Sequence, residues 1–213
     1  MKKRKRPIES PDLPKQLETT NMSTLEDASE IEMVRVESVA PRLEAGHVRF
    51  QEVYIKGVHF DAAKLPHSSW IDVIFENCDL SNVKLTNAQL NRVEFKNCKL
   101  VGTDFDRAEL RDVQMIDCQA PYTLFNVANM QDVAFTDCLL KSANFIDSEF
   151  FNVQFGSSTI DDVQFTGTSL KDVDLSNCEL RQIHIQKEDI QGAIVSADQA
   201  ISLIELFGVT VKD

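Results

Sequence analysis

Val73-Ile74-Phe75-Glu76-Asn77 is followed by Cys78-Asp79-Leu80-Ser81-Asn82, Val83-Lys84-Leu85-Thr86-Asn87 and Ala88-Gln89-Leu90-Asn91-Arg92. Each five-residue unit offers a small residue, a variable one, a large apolar one and two polar ones. Working outward, the large apolar place is kept without a slip from Phe50 to Ile190, at every fifth residue. In a chain that is 43% hydrophobic, independent placement would give such a column on the order of once in 10^11 tries. A period of five fits neither a helix at 3.6 nor a strand at 2. It predicts two inward residues and then a corner.

The small column, two residues earlier, admits only Ala, Val, Ser, Thr or Cys from Val48 until Ile183 and fails at Glu188. The last place of the unit is rich in Asn and Asp, among them Asn77, Asn82, Asn87, Asn97, Asp112, Asp117, Asp132, Asp137, Asp147, Asp162 and Asp172. These side chains favour corners because they bond to nearby backbone and tolerate unusual dihedrals. A longer period overlies the first. Cys78, Cys98, Cys118, Cys138 and Cys178 share one 20-residue line, with Ser158 at the missing step. Val73, Val93, Val113, Val133, Val153 and Val173 share another. Four corners therefore make one square turn, and like residues stack from turn to turn.

The units Cys78-Asp79-Leu80-Ser81-Asn82, Ala88-Gln89-Leu90-Asn91-Arg92, Ala128-Asn129-Met130-Gln131-Asp132 and Ala143-Asn144-Phe145-Ile146-Asp147 resemble the A(D/N)LXX consensus of pentapeptide-repeat proteins. The resemblance implies an all-β, right-handed quadrilateral β-helix over residues 46–190. Roughly seven turns at ~4.8 Å give a rod ~34 Å long. Ala120 is the one weak residue of the large column, and with Pro121 and Tyr122 it predicts a local irregularity.

The flanks read differently. Residues 1–30, with Lys2-Lys3-Arg4-Lys5-Arg6, Pro7, Pro11 and Pro14, form a basic, proline-rich tail that is expected to be disordered. The basic run most simply serves solubility, with contact to nucleic acid or an anionic membrane as the alternative. No apolar core of a signal peptide follows it, and no apolar run approaches a membrane span. Residues 31–45 are expected to cap the first turn, since an open end exposes unpaired strand edges. Residues 191–213 read as strand, helix, strand: Gly192–Val195, a helix over 197–207 opened by the Ser196/Gln199 capping box and closed by Gly208, then Val209–Val211. Leu206-Phe207-Gly208-Val209 is similar to the closing segment of Qnr-type members of the family, which implies a cap and a tail-to-tail homodimer through Ile201, Ile204, Leu206 and Phe207.

No catalytic, cofactor-binding or metal-binding constellation stands out. His47, His59, His67 and His184 are scattered, and there is no phosphate loop or zinc spacing. The five aligned cysteines read as small buried residues in a reducing cytoplasm. Function is left to surfaces. The net charge is −12, and residues 112–179 hold eleven acids against Lys141 and Lys171. The reading is a non-enzymatic module that binds a protein partner through its faces. The resemblance also implies an alternative, a mimic of duplex DNA that docks on DNA gyrase or topoisomerase IV. Asp112, Asp132, Glu149, Asp161, Asp162, Asp172, Asp174 and Glu179 are the candidate acidic surface. An acidic coil does not itself bind DNA. An uninterrupted coil lacks the projecting loops that Qnr-type members use in protecting gyrase.

Overall fold

A computed structural model describes residues 6–211. From His47 to Asp172 every fifth residue has positive φ, between 50° and 77°. The left-handed conformation is what turns the chain, and the Asn- and Asp-rich column coincides with it. The polar last place of each unit is thus the corner, and the two inward columns follow from it.

The result is a right-handed stack of about eight parallel turns. Strands β1 (Glu18–Met22), β2 (Glu30–Glu32), β3 (Val34–Val39), β4 (Arg49–Lys56), β5 (Ser69–Glu76), β6 (Gln89–Lys96), β7 (Glu109–Ile116), β8 (Asn129–Thr136) and β9 (Glu149–Gly156) form one parallel sheet in the order β1-β3-β4-β5-β6-β7-β8-β9, with β2 also on β4. Arg49 pairs with Ser69, Ser69 with Gln89 and Gln89 with Glu109, so each turn takes 20 residues. Single bridges such as Lys64↔Lys84 and Lys99↔Gln119 repeat the step on other faces. β10 (Val163–Gln164) and β11 (Ile183–His184) continue it toward the C-terminal end.

The core is a dry column of stacked rings. Phe50 lies on Trp70 at 3.8 Å, Phe75 on Phe95 at 4.7 Å, Phe105 on Phe125 at 5.1 Å and Phe125 on Phe145 at 4.9 Å. Neighbouring stacks meet edge to face, as Phe125 meets Phe135, the arrangement aromatic quadrupoles prefer. The small column has its own chemistry. Cys98, Cys118 and Cys138 direct their thiols at the carbonyls of Phe75, Phe95 and Met115 in the turn before. Ser158 Oγ donates to Phe135 O in the same way. All five thiols are free and buried, and burial pushes Cys178 up to about 11.

Both ends are covered. β1 lies outside β3 with a register shift between Thr20 and Asn21, a bulge of the kind that blunts an edge. At the other end, helix α1 (Ala197–Leu206) carries the Ser196/Gln199 capping box, and Gly208 follows with φ 79°. Gln199 Nε2 donates to the carbonyls of Leu175 and Cys178, both at 2.9 Å, which satisfies acceptors of the last full turn.

Three expectations differ from the structure. Residues 6–30 are not a structureless tail: residues 6–12 bond to the coil and 18–22 form β1. Lys2–Lys5 of the basic run lie outside the described residues. The expected C-terminal strands do not form: Gly192–Val195 contributes only a single bridge, Ile194 to Asp174, and 209–211 has none. The coil also passes Ala120-Pro121-Tyr122 without irregularity. Ala120 N–H donates to Leu139 O at 2.8 Å and Tyr122 N–H to Lys141 O at 3.0 Å. The ladder is carried by the residues on either side, so the N–H that proline lacks is not called on.

Candidate functional site

The long strands β4 to β9 each bend at a central left-handed residue. Glu52, Asp72, Arg92, Asp112, Asp132 and Asn152 occupy that bend, and Asp172 continues the line. Stacking at one turn per residue brings their side chains into a single ladder along the rod. Asp72, Asp112 and Asp132 are 7%, 2% and 1% exposed, although a corner carboxylate on a solenoid would ordinarily face water.

What buries them is the N-terminal segment. Residues 6–12 form a strap that runs along the axis, across the strands. Arg6 Nη2 lies 2.7 Å from Asp112 Oδ2 and 3.0 Å from Asp132 Oδ2. Glu9 N–H donates to Asp112 Oδ1 at 3.0 Å, and Asp12 N–H to Asp72 Oδ1 at 3.0 Å. Gln114 Nε2 reaches Ser10 Oγ at 3.3 Å. Pro7 and Pro11 fix φ near an extended value and restrict the residues before them. They hold the strap straight and leave its remaining N–H groups for the carboxylates. Within the ladder, Arg92 grips Asp72 in a fork, Nε to Oδ1 at 2.6 Å and Nη2 to Oδ2 at 2.5 Å.

The electrostatics follow from these contacts. Burial acts to raise the Asp72 pKa, but the Arg92 fork and the Asp12 N–H outweigh it and hold the carboxyl below its ordinary value. The hydrogen bond to Asp112 raises Arg6 above its own. Buried charges are tolerated only when paired and hydrogen-bonded, and this ladder meets that condition through the strap.

Past Arg6 the ladder runs into a groove of about 1110 Å³. Asp132, Asn152 and Asp172 lie along it, Glu149 is acidic on its wall, and Phe150 and Phe151 supply apolar surface. Asn152 Nδ2 donates to Asp132 Oδ1 at 2.7 Å. Its own Oδ1 is buried and lacks a hydrogen-bond partner among the described residues.

Of the eight acids singled out in the sequence, Asp112, Asp132, Glu149 and Asp172 come together around this ladder and groove. The others do not. Asp162 stands at another corner, where Ser142 Oγ donates to it at 2.7 Å and His184 Nε2 lies at 2.8 Å. These two contacts hold its pKa below the ordinary value. Asp161 is its half-buried neighbour. Asp174 accepts from Ser176 N–H at 2.9 Å, and Glu179 pairs with Arg181 at 2.8 Å. Ile201, Ile204, Leu206 and Phe207 are exposed on and just past α1, while Leu203 and Gln199 are buried. Sequence reading missed Arg6, Asp72, Arg92 and Asn152. The signal for three of them was present, since they share the 20-residue line of Asp112 and Asp132.

Among the described residues no helix is long and apolar enough to cross a membrane, and no group of His, Cys, Asp and Glu could hold a metal ion. Comparison with family models matches a pentapeptide repeat region at residues 88–165 and pentapeptide repeats (8 copies) at 55–92 and 148–184. Among solved structures the chain is similar to HetL, a pentapeptide repeat protein involved in heterocyst differentiation regulation from the cyanobacterium Nostoc sp. strain PCC 7120. The TM-score is 0.68 at 16% identity, over 82% of this chain and 88% of that one. A trypsin-treated form of QnrB1, a plasmid-mediated fluoroquinolone resistance protein, aligns with TM-score 0.47 and 20% identity over 88% of this chain and 99% of that one. No curated protein sequence matches the chain significantly.

Proposed function

Since the chain belongs to the pentapeptide-repeat family, we propose that it is a non-catalytic module that binds a protein partner through the faces of its β-helix. The observation that carries this reading is the groove beside the strap. It sets Asp132, Glu149 and Asp172 beside Phe150 and Phe151, with Arg6 and Lys171 also in its lining, and has neither histidine nor thiol there. Such a mixture suits recognition of a polypeptide better than proton or acyl transfer. The reading includes a reducing, cytoplasmic setting, in keeping with five unpaired thiols in one ladder. It also includes a homodimer. Ile201, Ile204, Leu206 and Phe207 are exposed together on a helix whose other side seals the coil, and contiguous apolar surface of this kind marks contact sites.

The test is affinity capture with face-specific controls. Full-length protein, a Glu149→Lys/Asp172→Lys variant on the groove and an Asp161→Lys/Glu179→Lys variant elsewhere serve as baits. A partner held by the unsubstituted chain and lost with only one of the two variants supports the reading. Capture that is indifferent to both variants sinks it. For the dimer, light scattering of an Ile204→Asp/Phe207→Asp variant should show a monomer.

The duplex-mimic reading draws less support. Asp112 and Asp132 are covered by the strap, and Asp161, Asp162, Asp174 and Glu179 stand in other columns. The charge therefore does not form one continuous stripe. A gyrase supercoiling assay keeps that alternative open to revival by inhibition at low protein concentration.

A further inference from the structure

Resting on the reading of this chain as a protein-binding module, we propose that the acidic ladder is a docking track for an extended, arginine-bearing, proline-containing segment of a protein partner. The chain's own Arg6–Asp12 occupies that track in cis as a stand-in for the partner's segment.

The register between strap and rod is the main ground. Asp12 N–H meets Asp72 and Glu9 N–H meets Asp112, so three residues of strap advance by forty residues of coil, which is two turns. Two turns rise about 9.6 Å at the spacing of parallel strands. Three residues of polyproline II rise about 9.3 Å and complete one turn of that helix. A chain in this conformation therefore presents the same side to the ladder at every second turn of the rod. The same step beyond Asp112 leads to Asn152, opposite Arg6. The strap leaves the register there, since Arg6 turns its side chain to Asp112 and Asp132 and the buried Oδ1 of Asn152 has no hydrogen-bond partner among the described residues. The track thus repeats an acceptor at the interval an extended ligand would use, and it does so into the groove.

Selection for arginine follows from the spacing of the carboxylates. Asp112 and Asp132 lie on adjacent turns, and one guanidinium nitrogen of Arg6 reaches both. Its other terminal nitrogen, Nη1, donates to Glu9 Oε1 at 3.0 Å, so one guanidinium serves three carboxylates from two fixed nitrogens, where an ammonium offers a single point charge. The strap is also built to be exchanged. Residues 6–14 form no strand with the coil, so displacing them costs no backbone ladder. Beyond Arg6 the walls contributed by Glu149 and Phe150, with Asp172 and Lys171 further along, give a longer ligand charged and apolar surface to cover.

The test uses full-length protein and a fluorescently labelled synthetic peptide of residues 1–14 as the probe, read by anisotropy. With the intact chain the probe should bind weakly, because the track is occupied. Arg6→Glu in the full-length chain, which repels the strap from Asp112 and Asp132, should tighten binding by about tenfold or more, the scale of one charge-assisted hydrogen bond. Adding Asp132→Asn to that variant should remove most of the gain. A probe carrying Arg6→Lys should bind more weakly than the original. Equal binding to all proteins, or none to the Arg6→Glu variant with an unchanged circular dichroism spectrum, overturns the proposal. Assembly of the Arg6→Glu variant into larger oligomers that exclude the probe also overturns it, since the occupant would then be a second copy. If the probe fails while face-specific partner capture persists, the docking track falls and the binding-module reading stands.

Discussion

Asp112 and Asp117 hold the same place in consecutive pentapeptides and have the same backbone angle, φ 54°. Asp112 is buried beneath the strap with Arg6 against it, and Asp117 is exposed. The contrast extends along the rod. One line holds Asp72, Asp112 and Asp132, which are covered and ion-paired. The next holds Asn77, Asn97, Asp117 and Asp137, which lie open to water. In the open line no charge pairing is drawn in: Asn97 Nδ2 donates to Asn77 Oδ1 at 2.6 Å, and the residue type otherwise answers to the backbone, because Asn and Asp accept the left-handed conformation more cheaply than other side chains. In the covered line the same chemistry has been drawn into long-range charge pairing. The pentapeptide thus decides where a polar corner occurs, and whatever lies over it decides what that corner contributes.

The strongest way to break this comparison is to remove a partner from the covered line. Arg92→Ala leaves the Asp72 carboxylate buried without its fork, and we expect a loss of about 2–3 kcal/mol. Asp137→Ala, in the open line at φ 53°, should cost about 1 kcal/mol, the left-handed penalty alone. Urea unfolding of both variants gives the answer, and equal losses would mean that the covered line is not special.

Acid separates the two lines next. Asp72 is held below its ordinary pKa, so its contribution is complete above the unfolded value, about 3.9. It disappears as pH falls through the folded value. The stability gap between the unsubstituted chain and Asp72→Asn should therefore be constant near neutrality and close in acid. A gap that is unchanged down to the folded value would remove the ion pair from the account.

The backbone half of the comparison is sharpened by Val127, a β-branched residue at φ 57° and exposed. Such a residue is a genuine outlier in the left-handed region. Val127→Asn should stabilise by about 1 kcal/mol, read as a higher urea midpoint. The smallest effect belongs to the open line itself. Asp117→Asn keeps the turn chemistry and should shift stability by under about 0.5 kcal/mol, whereas Asp112→Asn should expose the strap to limited proteolysis.

The coil was legible because its signals are local and repeated. Column after column, Phe and Leu, Val and Cys, Asn and Asp each report one place in the unit. The capping box at Ser196 and Gln199 was legible for the same reason. The strap was not. Pro7, Pro11 and Pro14 read as disorder because nothing near them in sequence offers a partner, and their contacts lie 60 to 106 residues away. Only the 20-residue register reveals that Asp72, Asp112 and Asp132 form one line, and only then do Arg6 and the spaced prolines acquire a surface to lie on. Pro121 misled in the opposite sense, since a turn that does not use that N–H accepts proline without distortion.

A stack of repeats is held together turn by turn, and each turn touches only its neighbours. Such an object can fray from either end and need not melt as a unit. The strap changes that arithmetic over part of its length, for it joins the turns of Asp72, Asp112 and Asp132 with one continuous piece of chain. It works as a splint. Opening any turn between Asp72 and Asp132 strains contacts several turns away, while the turns after Asn152 rely on nearest neighbours and on α1 for closure. Pulled or heated, the rod should come apart from its C-terminal third, with the splinted segment as the last portion to let go.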